Sequence, residues 1–490
     1  MEKIQAAIKS LMGVASAASS YKTYFEFPGK LVMLGFGSIG QGVLPLILRH
    51  IKIDKKNIII ITGDNAGEDI ARKEGIEFRM EPLNPQNYHS VLEPLLGEGG
   101  FLLNLSVDVS SVQLIRFCQE HDILYLDACI EPWTGGFVDP TLTMTQRSNY
   151  GLRETALVLK NEFPGGATAV VAHGANPGIV SHFLKRALVK IAKDTGLDGA
   201  IPKNRDEWAT YAKDLGVKTI HIAEYDSQVA AKPKEIGRFE NTWSVYGFHS
   251  EAVSQPSELG WGTHEKYWPD DARKHDNAFA SSIYLLRPGA RTPVRTWTPL
   301  RKNFIGRLVT HNESISISDY FTLKNGDDVV YRPTVHYAYR PCDAAVLSLE
   351  ETLGDNSQLQ AKQRILMDEI VTGMDELGVL VMGHQKGAYW YGSQLTIEDT
   401  RKLAPYQNAT GLQVTAGVLG GMIWAMENPK AGVVEPDEMD FERVMEVAEP
   451  YLGTMTGEYT DWNPLKGRQA LFPEDTDTSD PWQFKNFRVV

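Results

Sequence analysis

Short apolar runs alternate with longer amphipathic segments in the first third of the chain. The runs are rich in Leu or β-branched residues, and the gaps between them leave room for one crossover helix each; they occupy residues 31–34, 58–61, 101–105, 123–126 and 169–172. Strands that are apolar throughout are typical of a sheet buried on both faces. The pattern therefore predicts a parallel sheet covered by helices, an α/β domain.

The pattern changes after Ala175, and residues 219–268 are crowded with aromatic and acidic side chains. Residues 319–323 and 329–340 flank a Lys-Asn-Gly-Asp turn at 324–327, which predicts a hairpin. A second hairpin is predicted where residues 379–382 and 388–391 flank a glycine-bounded turn. We interpret residues 179–400 as a second, mixed α+β domain with a largely antiparallel sheet.

The last part of the chain begins with apolar residues at helical spacing, ended by Asn428-Pro429; they are Leu412, Ala416, Leu419, Ile423 and Met426. This spacing predicts a core helix packed against one of the two domains. The acidic stretch 473–481 is predicted to be an exposed tail. The predicted division is thus 22–178, 179–400 and 401–490, with the last part returning partly to the first domain.

Composition narrows the classes of function. Of the 490 residues, 49 are Lys or Arg and 62 are Asp or Glu, a formal charge of -13 that suits a cationic ligand and argues against nucleic acid. Three cysteines cannot form a disulfide framework, so we expect a reducing, cytoplasmic compartment. No run of about 18 apolar residues is present, which argues against a membrane span. The histidines show no metal-ligand spacing, and no metal site is predicted.

A glycine-rich turn follows the first apolar run directly. In Gly35-Phe36-Gly37-Ser38-Ile39-Gly40, the first glycine permits a tight turn, the second admits a pyrophosphate, and the third lets the helix pack on the strand. Asp64 lies at the end of the second run, where a carboxylate binds ribose hydroxyls and repels a 2′-phosphate. The motif predicts a Rossmann-type domain that binds NAD rather than NADP; the alternative is a packing turn without a ligand. Pro45, inside the following helix, predicts a local kink.

Three further motifs carry a resemblance to a known family: Asn104-Leu105-Ser106-Val107-Asp108, Ile130-Glu131-Pro132-Trp133 and His173-Gly174-Ala175-Asn176-Pro177-Gly178. With the glycine turn, they make the chain resemble the bacterial homospermidine synthases, which are related in fold to the saccharopine dehydrogenases. The resemblance implies a Rossmann-type NAD domain and a second α+β domain that mediates dimerisation. It also implies a reaction that joins two putrescines, or putrescine and spermidine, without net use of NAD.

The resemblance also implies which residues form the site. Catalytic roles fall to Glu224, Asn176 and His311, and the polyamine is bound by Asp108, Glu131, Trp243 and Glu251. The residues predicted to bind the cofactor are Gly35, Gly37, Ser38, Ile39, Gly40, Asp64, Asn104 and Ser106. Of these residues, His311 is assigned from the shortest stretch of matching sequence. Cys129 is expected to be a buried, inert thiol, and His173 and His336 are expected to be structural.

These residue types suit a diamine, which carries an ammonium at each end of an apolar spacer. Carboxylates pair the ammonium groups and an indole face adds a cation–π contact. The amine must lose a proton before its carbon is oxidised, and Glu224 is the candidate base with His311 as the alternative. Two rivals stay open: a saccharopine dehydrogenase-type oxidoreductase, which needs arginines for its carboxylate substrates, and a nucleotide-sensing protein without a catalytic set.

Overall fold

A computed structural model describes residues 21–197, 199–277, 280–468 and 472–489. Its first sheet has seven strands, all paired in parallel, and in spatial order they are Val433–Val434, Ala169–Val170, Leu124–Asp127, Phe101–Asn104, Leu31–Leu34, Ile58–Thr62 and Glu77–Met80. All five predicted runs are confirmed as strands. The strand order reverses between Leu31–Leu34 and Phe101–Asn104, where doubly wound sheets bind their ligands.

Two strands of this sheet were not predicted, because they do not form an apolar run of the kind seen in the other five. Glu77–Met80 lies at the sheet edge, and its residues are exposed or half-buried, so it carries no apolar run. Val433–Val434 is only two residues long and comes from the far end of the chain. The helices covering the sheet are Ser38–His50, Glu68–Glu74, Tyr88–Leu92, Ser111–Glu120 and Asn149–Glu162. Ser38–His50 continues through Pro45.

The second sheet has ten strands in mixed, largely antiparallel order, as predicted. Along its main path they are Ala272–Lys274, Ser282–Pro288, Pro256–Gly260, Thr334–Arg340, Thr219–Asp226, Met374–Met382, Ala388–Thr396 and Thr454–Thr460, and the hairpin of Pro293–Thr298 and Lys302–Arg307 joins at Thr334–Arg340. Only Thr219–Asp226 and Thr334–Arg340 pair in parallel among these described strands. The hairpin at 374–396 is confirmed.

The other predicted hairpin is partly wrong. Its turn is present, but the strands are Leu323–Asn325 and Asp328–Tyr331, while Asp319 belongs to the helix Asn312–Tyr320. Pro333 separates Asp328–Tyr331 from Thr334–Arg340, because proline cannot donate to a strand ladder. The remaining α-helices among the described residues are Ile179–Thr195, Arg205–Asp214, Val245–His249, Asp343–Gly354, Ile397–Leu403, Ala409–Glu427, Phe441–Ala448 and Phe484–Phe487, and Ser250–Ser254 forms a π-helix.

The C-terminal part is shared between the two sheets. Ala409–Glu427 contains the predicted helix and packs on Ser38–His50; it is long and apolar enough to cross a membrane, but nearly all of it is buried in the protein. Thr454–Thr460 extends the second sheet. The stretch 473–481 is not simply an exposed tail, because Asp477 and Asp480 are buried and pair with Lys266 and Lys218.

One apolar core joins the two sheets. It contains side chains of the first sheet such as Leu31 and Leu103, and of the second sheet such as Ile220 and Val379. After the strand Ala169–Val170, Asn176 donates a hydrogen bond to Glu224 of the second sheet, so this carboxyl end of the first sheet meets the second sheet directly.

Candidate active site

The glycine turn has the geometry that its sequence predicts. Gly35 has φ +83°, and a Cβ there would lie 2.6 Å from the Leu105 carbonyl oxygen, so no side chain fits. A Cβ on Gly40 would lie 2.7 Å from the Gly35 oxygen, where the helix packs closely on the turn. Nothing lies within 4 Å of a Cβ on Gly37, at the start of the helix whose first turn contains Ser38 and Ile39. This open backbone at a helix N-terminus fits a pyrophosphate.

Asn104 and Ser106 follow the neighbouring strand, on the other side of the reversal in strand order. Asn104 is 2% exposed; its Oδ1 accepts hydrogen bonds from the Ser106 hydroxyl at 2.5 Å and amide at 3.2 Å, and its Nδ2 donates to the Tyr125 hydroxyl. Asn104 therefore shapes the loop, while Ser106 lies against Gly35. Asp64 is exposed after the strand Ile58–Thr62, and its Oδ1 accepts from the Ala66 amide.

Glu224 lies in the middle of the second sheet and is buried. Its carboxylate accepts hydrogen bonds from Asn176 Nδ2 at 3.0 Å and from the Tyr337 hydroxyl. Burial raises the pKa of Glu224 to about 7, although the Tyr337 hydrogen bond opposes this shift and the nearby Asp226 carboxylate adds to it. A carboxylate that titrates near neutral pH is well matched to general-base work.

His311 lies next to this pair, with its ring 4.4 Å from that of Tyr337 between centroids. Its Nε2 is 2.9 Å from Glu251 Oε2 and its Nδ1 is 3.2 Å from Glu313 Oε1. Burial alone would lower the pKa of His311, but the two carboxylates raise it well above the ordinary value. Because both ring nitrogens face acceptors, the imidazole is doubly protonated and donates to both.

Two adjoining cavities lie beside His311, and neither of them is lined by Glu224 or Asn176. The inner cavity is lined by Cys129, Ile130, Glu131, Phe137, Asn149, Pro177, Gly247, Ser250, Glu251, Gln255, His311 and Asn312. The outer cavity is lined by Val107, Asp108, Glu131, Gly135, Phe137, Val138, Tyr246, Gly247, His249, Ser250 and Ser254. Neither Lys nor Arg is among the described residues that line them. The walls therefore suit a cation and not a carboxylate.

Glu131 lines both cavities and is 8% exposed. Burial, followed by repulsion from Glu251 and Asp108, raises its pKa to about 8. Asp108 lies in the exposed loop after Asn104 with φ +62°, a rare backbone conformation for a residue other than glycine. Partial burial of its carboxyl group against the outer cavity raises the pKa of Asp108. An incoming ammonium would stabilise the ionised form of these carboxyl groups.

Trp243 does not line either cavity directly. Its Nε1 donates to the Tyr339 hydroxyl at 3.0 Å, and its ring packs on Phe248. A Cβ on Gly247 would lie 3.2 Å from the Trp243 ring, so the indole lies directly behind the glycine that lines both cavities. The cation–π role of Trp243 stays a prediction.

Several residues of the site were not found by sequence reasoning. Tyr337 and Tyr339 stack at 5.1 Å beside Glu224, Glu313 supports His311, and Asp226 and Asp375 form a buried acid pair near Glu224. Alternation along Thr334–Arg340 and Thr219–Asp226 places the tyrosines and the acids on one face. That alternation could have indicated from the sequence that these side chains share a face. The parallel register that brings Tyr339 opposite Glu224 could not be read from the sequence.

His173 and His336, which the sequence predicts to be structural, are buried, whereas Cys129, expected to be buried, is half-buried. Cys129 lines the inner cavity as a free thiol, and burial together with neighbouring carboxylates raises its pKa well above normal. His173 contacts His182 at 3.0 Å, and burial lowers the pKa of His173 to about 4. Burial also lowers the pKa of His336 to about 4. All three are uncharged at neutral pH.

Comparison with known families defines the class. Residues 31–170 match the saccharopine dehydrogenase NADP binding domain, and residues 174–461 match the saccharopine dehydrogenase C-terminal domain. With the reversed strand order and the glycine turn, these matches place the chain in the saccharopine dehydrogenase class of two-domain folds.

Individual relatives are more specific. Homospermidine synthase from Blastochloris viridis is 54% identical over 476 residues, which cover 96% of this chain and 99% of that protein. The enzyme of the same name from Mesorhizobium japonicum is 51% identical over 480 residues, with 96% and 99% covered. The crystal structure of homospermidine synthase from Legionella pneumophila in complex with NAD matches with a TM-score of 0.90 at 47% identity, covering 96% of this chain and all of that one. The chain belongs to the homospermidine synthase family, which confirms the resemblance seen in the sequence.

Proposed function

We propose that this enzyme joins two putrescines into sym-homospermidine and releases ammonia. Spermidine in place of the first putrescine would release 1,3-diaminopropane instead. The observation that carries the proposal is the pair of cavities with carboxylates at several depths and no lining Lys or Arg among the described residues. A saccharopine dehydrogenase-type reaction needs cationic groups to hold its carboxylate substrate, so the lining does not favour that rival.

NAD is the cofactor that we propose for the turn at Gly35–Gly40, as in the Legionella relative. The open backbone at Gly37 and the helix beginning at Ser38 would hold the pyrophosphate, and Asp64 would accept hydrogen bonds from the ribose hydroxyls. Bound NAD supplies a reversible hydride acceptor, which explains why none is consumed overall.

Glu224 is the proposed general base. A free alkylamine is almost wholly protonated at neutral pH, so oxidation of the carbon next to it requires that the proton be removed first. The Glu224 carboxylate, with a pKa near 7, is able to take that proton, and Asn176 at 3.0 Å would orient the amine beside it. His311 is a poor base, because Glu251 and Glu313 hold it as a cation.

Asp108, Glu131 and Glu251 would pair the amino groups farther from the reacting carbon. They lie at increasing depth: Asp108 lines the outer cavity, Glu131 both cavities and Glu251 the inner one. The imine formed by oxidation must meet the second amine before water, and the enclosure of the inner cavity favours that order. Positioning of both amines in one cleft makes the exchange effectively intramolecular.

The test is conversion of putrescine that carries deuterium on the carbons next to nitrogen. The purified enzyme with catalytic NAD should form homospermidine with equimolar ammonia, and the label removed from the reacting carbon should return to the product. Without NAD no product should form. Label lost to solvent, or stoichiometric NAD reduction without homospermidine, would contradict the proposal.

A further inference from the structure

Two side-chain amides in the inner cavity have atoms without a hydrogen-bond partner among the described residues. Asn312 is 4% exposed, and neither its Oδ1 nor its Nδ2 has a hydrogen bond among the described residues. Gln255 is 2% exposed; its Nε2 donates to Ser250 Oγ at 3.2 Å, which leaves its Oε1 without a donor. Buried polar groups are normally satisfied, so both amides have spare hydrogen-bonding capacity for a bound molecule.

The wall that carries Asn312 is held firmly in place. Glu258 is fully buried; it accepts hydrogen bonds from the Asn149 and Tyr150 amides at 3.0 and 3.1 Å and from the Thr310 hydroxyl at 2.8 Å. Thr310 precedes His311 and Asn312 by one and two residues. The free amide is therefore part of a fixed surface.

The chemistry of an amide distinguishes a neutral amine from an ammonium. A neutral primary amine offers two N–H donors and one lone pair, whereas an ammonium offers donors only. The Gln255 and Asn312 oxygens match the two amine donors, which leaves the lone pair free to attack. The Asn312 NH₂ group is itself a donor and therefore disfavours the additional N–H of an ammonium. A carboxylate at the same place would favour the ammonium instead.

The charged groups around the amides are balanced. Cys129, Glu131, Glu251 and His311 are the titratable groups that line the inner cavity, and Glu313 holds His311 from behind. The His311 cation offsets Glu251, the Cys129 thiol is neutral, and burial raises the pKa of Glu131 to about 8, which leaves it largely protonated at neutral pH. Because Glu251 is already paired with His311, the end of the diamine at the two amides need not keep its extra proton, while the ammonium at the far end pairs with Asp108 and Glu131 toward the outer cavity.

We propose that Gln255 and Asn312 bind the accepting amine in its neutral, nucleophilic form. The proposal rests on the function proposed above. The amine lone pair attacks the carbon of the protonated imine and forms a new C–N bond. One proton then moves from the attacking nitrogen to the original one, which leaves as ammonia, and the product is the protonated secondary imine. The exchange needs no oxidant or reductant.

Asn312→Asp tests the proposal, because it replaces the free amide by a group that favours the ammonium. At pH 7, homospermidine formation should fall at least tenfold, and the acid limb of its pH profile should move about one unit to higher pH. Reduction of NAD on first mixing with putrescine should stay within twofold of wild type. Since the uncaptured imine is hydrolysed, NADH and 4-aminobutanal should accumulate.

Gln255→Glu should act in the same direction, which keeps the test available if one variant folds poorly. Asn303→Asp is the matched control, since Asn303 is exposed on the second sheet and lines neither cavity of the site. An unchanged pH profile and product ratio in both cavity variants would overturn the proposal, as would an equal loss of the first NAD reduction. Failure of the wild-type enzyme to make homospermidine would instead refute the proposed function.

Discussion

Glu224 shows how the surroundings of one residue set its chemistry. An exposed glutamate has a pKa near 4.3 and is a weak base at neutral pH. In this chain, burial raises the pKa to about 7, while Asn176 and Tyr337 keep the carboxylate hydrogen-bonded and oriented. On the surface, the same side chain would have the usual glutamate pKa and would be a weak base at neutral pH.

Glu224→Gln should lower kcat by about 10²–10⁴, because general-base catalysis is worth that much. In the wild type, kcat should fall about tenfold per pH unit below about pH 7, since the protonated carboxyl cannot accept a proton. The variant should lack this limb. Steady-state rates from pH 5.5 to 8.5 provide the measurement, and Glu350→Gln, at an exposed position, is the control. Retention of the limb in Glu224→Gln would assign it to another group.

Sequence reasoning about single residues depended mainly on the family resemblance, and the roles that it assigns stay predictions. A glutamate in an acidic block is usually solvated, and no local pattern distinguishes Glu224 from its neighbours. The structure shows the missing information: Asn176, Glu224 and Tyr337 come from three distant segments that meet only in the folded chain. Tyr337 was therefore missed although it follows His336, and Glu313 was missed although it lies two residues after His311.

At the scale of elements, the glycine turn contains glycines that packing requires and one that packing does not require. Gly35 and Gly40 are required by packing, whereas Gly37 has free space and an ordinary φ of -70°. A side chain at Gly37 is consequently compatible with the fold but would occupy the space proposed for pyrophosphate.

Gly37→Val should weaken NAD binding by at least tenfold and leave the thermal unfolding midpoint within about 2 °C of wild type. Calorimetric titration with NAD and thermal unfolding without it are the measurements. Gly97→Ala, in an exposed turn with equally open space, should change neither. Undiminished NAD affinity in Gly37→Val would remove the pyrophosphate from this turn.

The elements that sequence predicted well are those with strong local patterns. Continuous apolar runs gave five strands of the first sheet, and helical spacing gave Ala409–Glu427. The edge strand Glu77–Met80 was missed because half-exposed residues show no apolar run. The hairpin near residue 324 was only partly right, since Asp319 lies in a helix.

At the scale of the whole molecule, buried carboxyl groups should make stability depend on pH. Burial raises the pKa values of Glu131 to about 8 and of Glu224, Glu258 and Glu265 to about 7. Each folded carboxyl binds its proton more tightly than in the unfolded chain, so this stabilisation is present at low pH and is lost as pH rises through the folded pKa. The buried neutral histidines act only below about pH 6.5 and do not oppose this trend above it.

We expect the free energy of unfolding to fall between pH 6.5 and 8 by an amount on the order of a few kcal/mol. Urea unfolding at a series of pH values measures it. Glu131→Gln should make the dependence shallower, because it removes the group with the highest of these pKa values. Stability that rises over this range would show that the carboxyls ionise without penalty.

The short strand Val433–Val434 has a consequence for biosynthesis. It is the outermost strand of the first sheet, beside Ala169–Val170, yet about 260 residues separate the two in the chain. While the ribosome is still adding the second sheet, the cofactor-binding half has a bare backbone edge, open to pairing with another nascent chain. A protein truncated before residue 433 would retain that edge permanently.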